Sequence, residues 1–203
     1  MTDEARAVAE AAKTAGEIVK AAGGLGSYLA KVLGSIPENV LGLAVGDWLD
    51  HKRRRHLAIL EDNTARVLEE IRINHPERLT EPSPSVLIPL LQAAVDESRE
   101  ELQDLWASLL ANAMLDGGRK VRRDYFEAVR QMEPVDALVL DRVSQHSGPG
   151  ADWTVIGADL QRLGFSSDDM TIALDKLVTL HCVVLPPRLT AFGRGLLAAC
   201  RVT

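Results

Sequence analysis

The stretch from Glu97 to Met114 constrains the fold of this 203-residue chain more than any other part of it. Its apolar residues recur every three or four positions, and its polar residues fall on the opposite side. The apolar set is Leu102, Leu105, Trp106, Leu109, Leu110 and Ala113, and the polar set is Glu100, Glu101, Gln103 and Asp104. This period is typical of an amphipathic helix with one wide face buried. The sequence therefore predicts a partly buried helix here.

The composition favours helices over sheets. Hydrophobic residues make up 46% of the chain and aromatic residues only 4%, so the core consists mainly of Leu, Val, Ile and Ala. We predict an all-α protein with long N-terminal helices and a helical bundle, followed by a small winged-helix-like C-terminal domain with a short β-hairpin. The predicted regions are 1–75 (glycine-rich helices and a long helix), 85–133 (a helical segment with the Glu97–Met114 helix) and 134–203 (the winged-helix-like domain).

Charge and cysteine content indicate a soluble protein of the cytoplasm. The net charge of −6 gives the chain no long-range attraction for nucleic acid. Cys182 and Cys200 lack CxxC spacing and are too few for a disulfide framework. The first ten residues are acidic rather than typical of a secretory signal, and no apolar run reaches the roughly 18 residues of a spanning helix. We expect a cytoplasmic protein, with peripheral attachment to the inner membrane as an alternative.

The N-terminal region has a small-residue, weakly charged surface. Residues 21–46 carry only two formal charges, and Gly42 and Gly46 leave one helical face without side chains, so that another helix can approach closely. Trp48 follows, at a position suited to an interface. Burial in a homo-oligomer or against a protein partner explains this pattern, and a hairpin that inserts into an anionic membrane explains it too. We favour protein contact.

A basic run, Lys52, Arg53, Arg54 and Arg55, follows on a long helix that we expect to end near Asn74, because Pro76 stops it. One interpretation is a solvated face paired with nearby acidic residues. The other is an anion-binding site for phospholipid headgroups or RNA. Beyond this run a 3-4-3-4 spacing predicts a short coiled-coil seam of about two heptads, and a helix in a bundle can show the same stripe. The seam residues are Leu57, Leu60, Thr64, Val67 and Ile71.

The winged-helix-like region raises the question of DNA binding. The helix that would enter the groove, Asp168 to Leu180, carries three Asp residues against the single Lys176. Proteins that read DNA grooves need positive charge to neutralise phosphates, so this helix would repel DNA. We therefore regard nucleic acid as an unfavourable partner, and a nucleic-acid-binding regulator is retained only as an alternative function.

No motif indicates catalysis, a metal or a cofactor. Gly23–Ser27 lacks the Gly-Lys-Ser/Thr ending of a phosphate loop. The five histidines form no close metal pair, and we expect them to be scattered over the surface. The cysteines suit a core rather than a nucleophile. The carboxylates of Glu97–Glu101 and Asp104 are expected on a solvated helix face. We predict a protein that is not an enzyme.

Four segments together resemble the bacterial Abi-alpha (abortive infection alpha) family. Trp106–Met114, preceded by Glu97-Ser98 and Glu101-Leu102, resembles the signature helix of that family. The other segments are Gly46–Leu49, Tyr125–Pro134 with Asp136-Ala137, and Leu189–Leu197. The resemblance implies a role in defence against phage, in which an infected cell stops growing or dies. It implies no reaction and no catalytic residues.

These observations lead to one predicted function and two alternatives. We predict a non-enzymatic, abortive-infection-type protein that acts through protein contacts or through membrane disturbance by its N-terminal helices. The first alternative is a winged-helix nucleic-acid-binding regulator, and the second is an immunity or antitoxin partner.

Overall fold

The computed structural model describes residues 48–146 and 153–202, which are predominantly helical. They divide into two compact units. Unit 1 contains the described residues up to Arg130 together with those from Ala199 onward, and unit 2 runs from Gln131 to Ala198. The helices in chain order are α1 Trp48–Asn74, α2 Pro84–Ala94, α3 Glu100–Ala113, α4 Arg123–Gln131, α5 Pro134–Gln145, α6 Trp153–Arg162, α7 Ser167–Thr179 and α8 Ala191–Ala199. Short 3-10 turns cover Pro76–Arg78 and Asp116–Gly118, and the two strands are β1 Val183–Val184 and β2 Arg188–Leu189.

Helix α3 is the centre of unit 1, as its apolar period predicts. It packs along α1 and also against α2. Trp106 is fully buried, and its ring centroid lies 6.3 Å from that of Phe126 in α4. Aromatic pairs at this spacing add to the stabilisation that burial provides. The prediction of a buried amphipathic helix is confirmed, although α3 begins at Glu100 rather than at Glu97.

The buried face of α1 differs from the predicted seam. Among the α1 side chains that the structure describes, the buried residues are His56, Leu60, Asn63, Thr64, Leu68 and Ile71, whereas Leu57 and Val67 are only half-buried. This stripe is wider than the seam of a coiled coil and is typical of a helix that packs in a globular core. Because α1 packs along α3 of the same chain, the stripe is explained by the core of unit 1.

Asn112, near the end of α3, forms hydrogen bonds to the last described residues of unit 1. Its side chain is almost completely buried, and its Nδ2 donates to the carbonyl oxygens of Ala199 at 2.9 Å and Arg201 at 3.3 Å. Backbone carbonyls at the end of a helix have no partner within it, so side-chain donors of this kind satisfy them.

Unit 2 combines three helices, a hairpin and a closing helix. Helix α5 packs on α6, α7 and β2, and β1 pairs antiparallel with β2 in the register Val183↔Leu189 and Val184↔Arg188. The helical fold with a short C-terminal hairpin is confirmed. The winged-helix assignment stays a prediction.

Local capping defines the start of α7. Ser166 is the N-cap: its Oγ accepts the Asp169 N–H at 3.1 Å, and the Asp169 carboxylate accepts the Ser166 N–H at 3.1 Å. This reciprocal pair is a capping box, which satisfies two backbone donors at once. The hydroxyl and the backbone N–H of Ser166 also lower the pKa of Asp169, because hydrogen bonds favour its charged form.

Candidate functional site

The predicted anion-binding run is divided by the fold. Arg53 forms a bidentate ion pair with Asp96, with Nε 2.7 Å from Oδ1 and Nη2 3.2 Å from Oδ2. Asp96 follows α2, so this pair joins two elements that are distant in sequence. Arg54 is exposed and does not line the cavity that Lys52 and Arg55 form with α3. The structure therefore separates Arg53 and Arg54 from the other two members of the run.

Lys52 and Arg55 line a cavity of about 460 Å³ between α1 and the beginning of α3, here called the α1–α3 cavity. From α1 it is lined by Lys52, Arg55, His56, Ile59, Asn63 and Arg66. From α3 and the turn before it, the lining residues are Ser98, Glu100, Gln103 and Asp104. Ligand sites in proteins occupy roughly 300–1,000 Å³, so the cavity has a suitable size for a small molecule.

His56 is buried in the wall of the cavity, contrary to the expectation of a surface histidine. Only 8% of the residue is exposed, and its Nδ1 lies 2.8 Å from the carbonyl oxygen of Val95. A carbonyl only accepts, so Nδ1 carries the hydrogen and Nε2 is left as an acceptor in the uncharged ring. No hydrogen-bond partner for Nε2 occurs among residues 48–146 and 153–202.

The turn before α3 is held by a buried carboxylate. Glu97 is 6% exposed, and its carboxylate accepts from Nε and Nη2 of Arg99, each at 2.8 Å, and from the Arg99 backbone N–H at 2.9 Å. Burial alone would raise the pKa of Glu97, but these hydrogen bonds outweigh it and the pKa is lowered. The expectation that Glu97 lies on a solvated face is wrong, because Arg99 compensates its burial.

Two amide side chains complete the cavity wall. Gln103 is buried, and its Nε2 donates to the Glu97 carbonyl at 3.1 Å, which leaves its Oε1 as an acceptor. Asn63 donates from Nδ2 to Asp104 at 3.2 Å, and its Oδ1 accepts from Arg66. The placement of Gln103 on the solvated side of α3 is also wrong, since α1 and the turn before α3 cover it.

The predicted helix-packing residues cannot be placed in this site. Gly42 and Gly46 lie outside the described residues. Trp48 is the first residue of α1, and only its backbone is described. Their predicted roles therefore stay predictions.

The helix predicted to approach DNA, α7, has an acidic surface. Asp168, Asp169 and Asp175 are exposed. Its one cation, Lys176, lies 3.0 Å from the buried carboxylate of Asp136 in α5, which it neutralises. This arrangement provides no positive charge for a phosphate backbone.

The cysteines are buried, as expected. Burial raises the pKa of the Cys182 thiol to about 12, so the thiol stays protonated and unreactive at neutral pH. Within the part of the chain that the structure describes, no group of three or more His, Cys, Asp or Glu residues is arranged to hold a metal ion. Among the described helices, none is both long enough and apolar enough to cross a membrane.

These features define a helical protein built around a buried amphipathic helix with a polar cavity beside it. The model of the abortive infection alpha family matches residues 55–186 of the chain. The protein therefore belongs to the abortive infection alpha family, as the resemblance predicts. The match includes α3 and Tyr125–Pro134, whereas Gly46–Leu49 and Leu189–Leu197 lie outside it. Comparison with curated proteins and with solved structures gives no significant match.

Sequence reasoning missed most of the cavity residues. The signal was present in α1, where Lys52, Arg55, Ile59, Asn63 and Arg66 follow each other at intervals of three or four residues and so share one face. The opposite wall cannot be read from this pattern, because it depends on how α1 and α3 are aligned.

Proposed function

We propose that this protein is an abortive-infection-type defence protein of bacteria, which stops the growth of an infected cell before phage multiplies. The observation that supports this most strongly is the family match over residues 55–186.

We propose further that the protein acts by contact with another protein rather than by catalysis. The buried, protonated thiol of Cys182 is a poor nucleophile. In the α1–α3 cavity, His56 and Gln103 are hydrogen-bonded to backbone carbonyls rather than placed beside a nucleophile. The contact surface would be the small-residue segment with Gly42 and Gly46, since side-chain-poor helices pack closely.

Infection of a bacterial host that expresses the full chain tests this proposal. We expect wild-type protein to reduce plaque formation by at least one phage of a diverse panel, and Gly42→Leu combined with Gly46→Leu to abolish this protection. Gly157→Leu is the matched control, because an added Cβ at Gly157 meets nothing within 4 Å. Immunoblotting establishes that all three proteins accumulate equally.

The outcomes separate the parts of the proposal. If wild-type protein protects against no phage, the defence role is wrong. If the double glycine variant protects as well as wild type, the contact surface is wrong. If purified wild-type protein causes anionic liposomes to leak, membrane disturbance is the mode of action and protein contact is wrong.

A further inference from the structure

The α1–α3 cavity has a positively charged end. Lys52 and Arg55 lie one turn apart on α1. Arg55 has no ion-pair partner within the described residues, and its side chain is exposed. A guanidinium in this situation presents its donors to solvent and to any anion that enters, in a geometry that suits the oxygens of a phosphate.

The N-terminus of α3 adds to this positive end. Arg53 pairs with Asp96 and His56 with Val95, whereas Asn63 pairs with Asp104. These contacts place the start of α3 beside the Lys52–Arg55 end of the cavity. The first backbone N–H groups of a helix have no intrahelical acceptor and carry a partial positive charge. An anion at this end therefore meets two side-chain cations and a helix N-terminus, opposed by the carboxylate of Glu100.

The middle of the cavity presents acceptors instead of cations. His56 bonds to a carbonyl through Nδ1, and Gln103 bonds to a carbonyl through Nε2. The remaining polar atom of each side chain, Nε2 of His56 and Oε1 of Gln103, is an acceptor without a partner within the described residues. Acceptors that line a cavity and have no protein partner can bond to the hydroxyl or amino donors of a ligand. The lining residues of α1 extend over roughly 20 Å at 1.5 Å per residue, which exceeds the length of a bare phosphate ion.

We propose that the α1–α3 cavity binds a soluble phosphorylated small molecule that carries hydroxyl or amino groups, a nucleotide or a sugar phosphate. Its phosphate lies against Lys52, Arg55 and the N-terminus of α3. Its donors bond to His56 and Gln103, and the carboxylate of Asp104 accepts a further hydroxyl. This site does not depend on the defence role and extends beyond it.

Calorimetric titration of the full chain tests the site directly. The probes are AMP, GMP, CMP, UMP, ribose 5-phosphate and inorganic phosphate, together with vesicles of phosphatidylglycerol and phosphatidylcholine. We expect saturable binding of one equivalent of a nucleotide or of ribose 5-phosphate, and weaker binding of inorganic phosphate, which cannot use the acceptors. The vesicles should not bind in place of the soluble probes.

Two substitutions and a control locate the binding. Arg55→Ala should weaken binding about tenfold or more, since charge-assisted hydrogen bonds to the phosphate are lost. Glu100→Gln should strengthen it several-fold, because the Glu100 carboxylate at the cavity repels a phosphate. Arg119→Ala removes an exposed arginine outside the cavity and should leave binding unchanged. Circular dichroism verifies that each variant is folded.

Four results would overturn the proposal. The first is that no soluble probe binds. The second is that Arg55→Ala and Arg119→Ala weaken binding equally, which would indicate diffuse attraction. The third is that inorganic phosphate binds as tightly as the nucleotides and ribose 5-phosphate, which would remove the role of His56 and Gln103. The fourth is binding of vesicles without binding of soluble probes, which would make lipid headgroups the source of the phosphate.

Discussion

Arg53 of α1 makes a bidentate ion pair with Asp96, with a shortest contact of 2.7 Å, although Lys52 and Arg55 beside it face the α1–α3 cavity. The side chain of Arg53 is 21% exposed and that of Asp96 is 56% exposed. One run of four basic residues thus contains a structural cation and two cations that line a cavity.

This division predicts different effects on stability. Arg53→Ala should lower the free energy of unfolding by about 0.5–1 kcal/mol, the upper range for a partly exposed ion pair. Arg55→Ala should change it by less than about 0.5 kcal/mol, as is usual for surface positions. Urea denaturation followed by circular dichroism measures both values. Equal destabilisation by the two substitutions would contradict the assignment.

Gly193 in α8 allows a close approach to the carbonyl of Cys182. A Cβ added at Gly193 would lie 2.0 Å from that oxygen, which is backbone and cannot swing away. We predict that Gly193→Ala destabilises the protein by about 3 kcal/mol or more through this clash. Gly157→Ala in α6 is the control, and it should stabilise the protein by about 0.5–1 kcal/mol through helix propensity. Thermal unfolding compares the stability of the two variants. A Gly193→Ala variant as stable as wild type would refute the close approach.

Substitution of Asn112 in the signature helix α3 should also reduce stability. Asn112→Ala leaves the carbonyls of Ala199 and Arg201 without their side-chain donor and should cost about 1–3 kcal/mol. Asn74→Ala at the exposed end of α1 should change stability by less than about 0.5 kcal/mol. Urea denaturation measures both values, and equal losses for the two substitutions would contradict the structural role of Asn112.

The lowered pKa of Glu97 makes the stability of the protein depend on pH. Its pKa in the folded protein is lowered from an unfolded value of about 4.3, so its stabilising effect is complete above that pH and is lost as the pH falls through the folded pKa. Glu97→Gln should therefore cost about 1 kcal/mol at pH 7 and progressively less in acid. Urea midpoints between neutral and acidic pH measure this difference. Glu81→Gln at an exposed position should follow wild type throughout, and a constant penalty for Glu97→Gln at every pH would refute the linkage.

The sequence predicts those features that depend on local physics. The apolar period of α3 and the stop of α1 before Pro76 are both found where they were expected. Each is determined within a few residues of the chain, by side-chain spacing or by the missing N–H of proline. Family membership follows from the same local segments.

The site could not be predicted because it depends on how distant helices align. His56 and Gln103 are polar residues whose burial is compensated by the carbonyls of Val95 and Glu97, and only packing reveals these partners. Glu97 is an intermediate case. Its partner Arg99 is two residues away, so the sequence did contain a signal for a bonded carboxylate rather than a solvated one.

The most direct test of the defence role compares infection at low and high phage dose. Cultures with and without the protein are infected either with far fewer phages than cells or with many phages per cell, and cell survival and phage yield are counted. An abortive-infection-type protein should protect the culture only at the low dose, since at the high dose infected cells die or stop growing without releasing phage. Survival of infected cells at the high dose, or equal phage yields with and without the protein, would contradict this account.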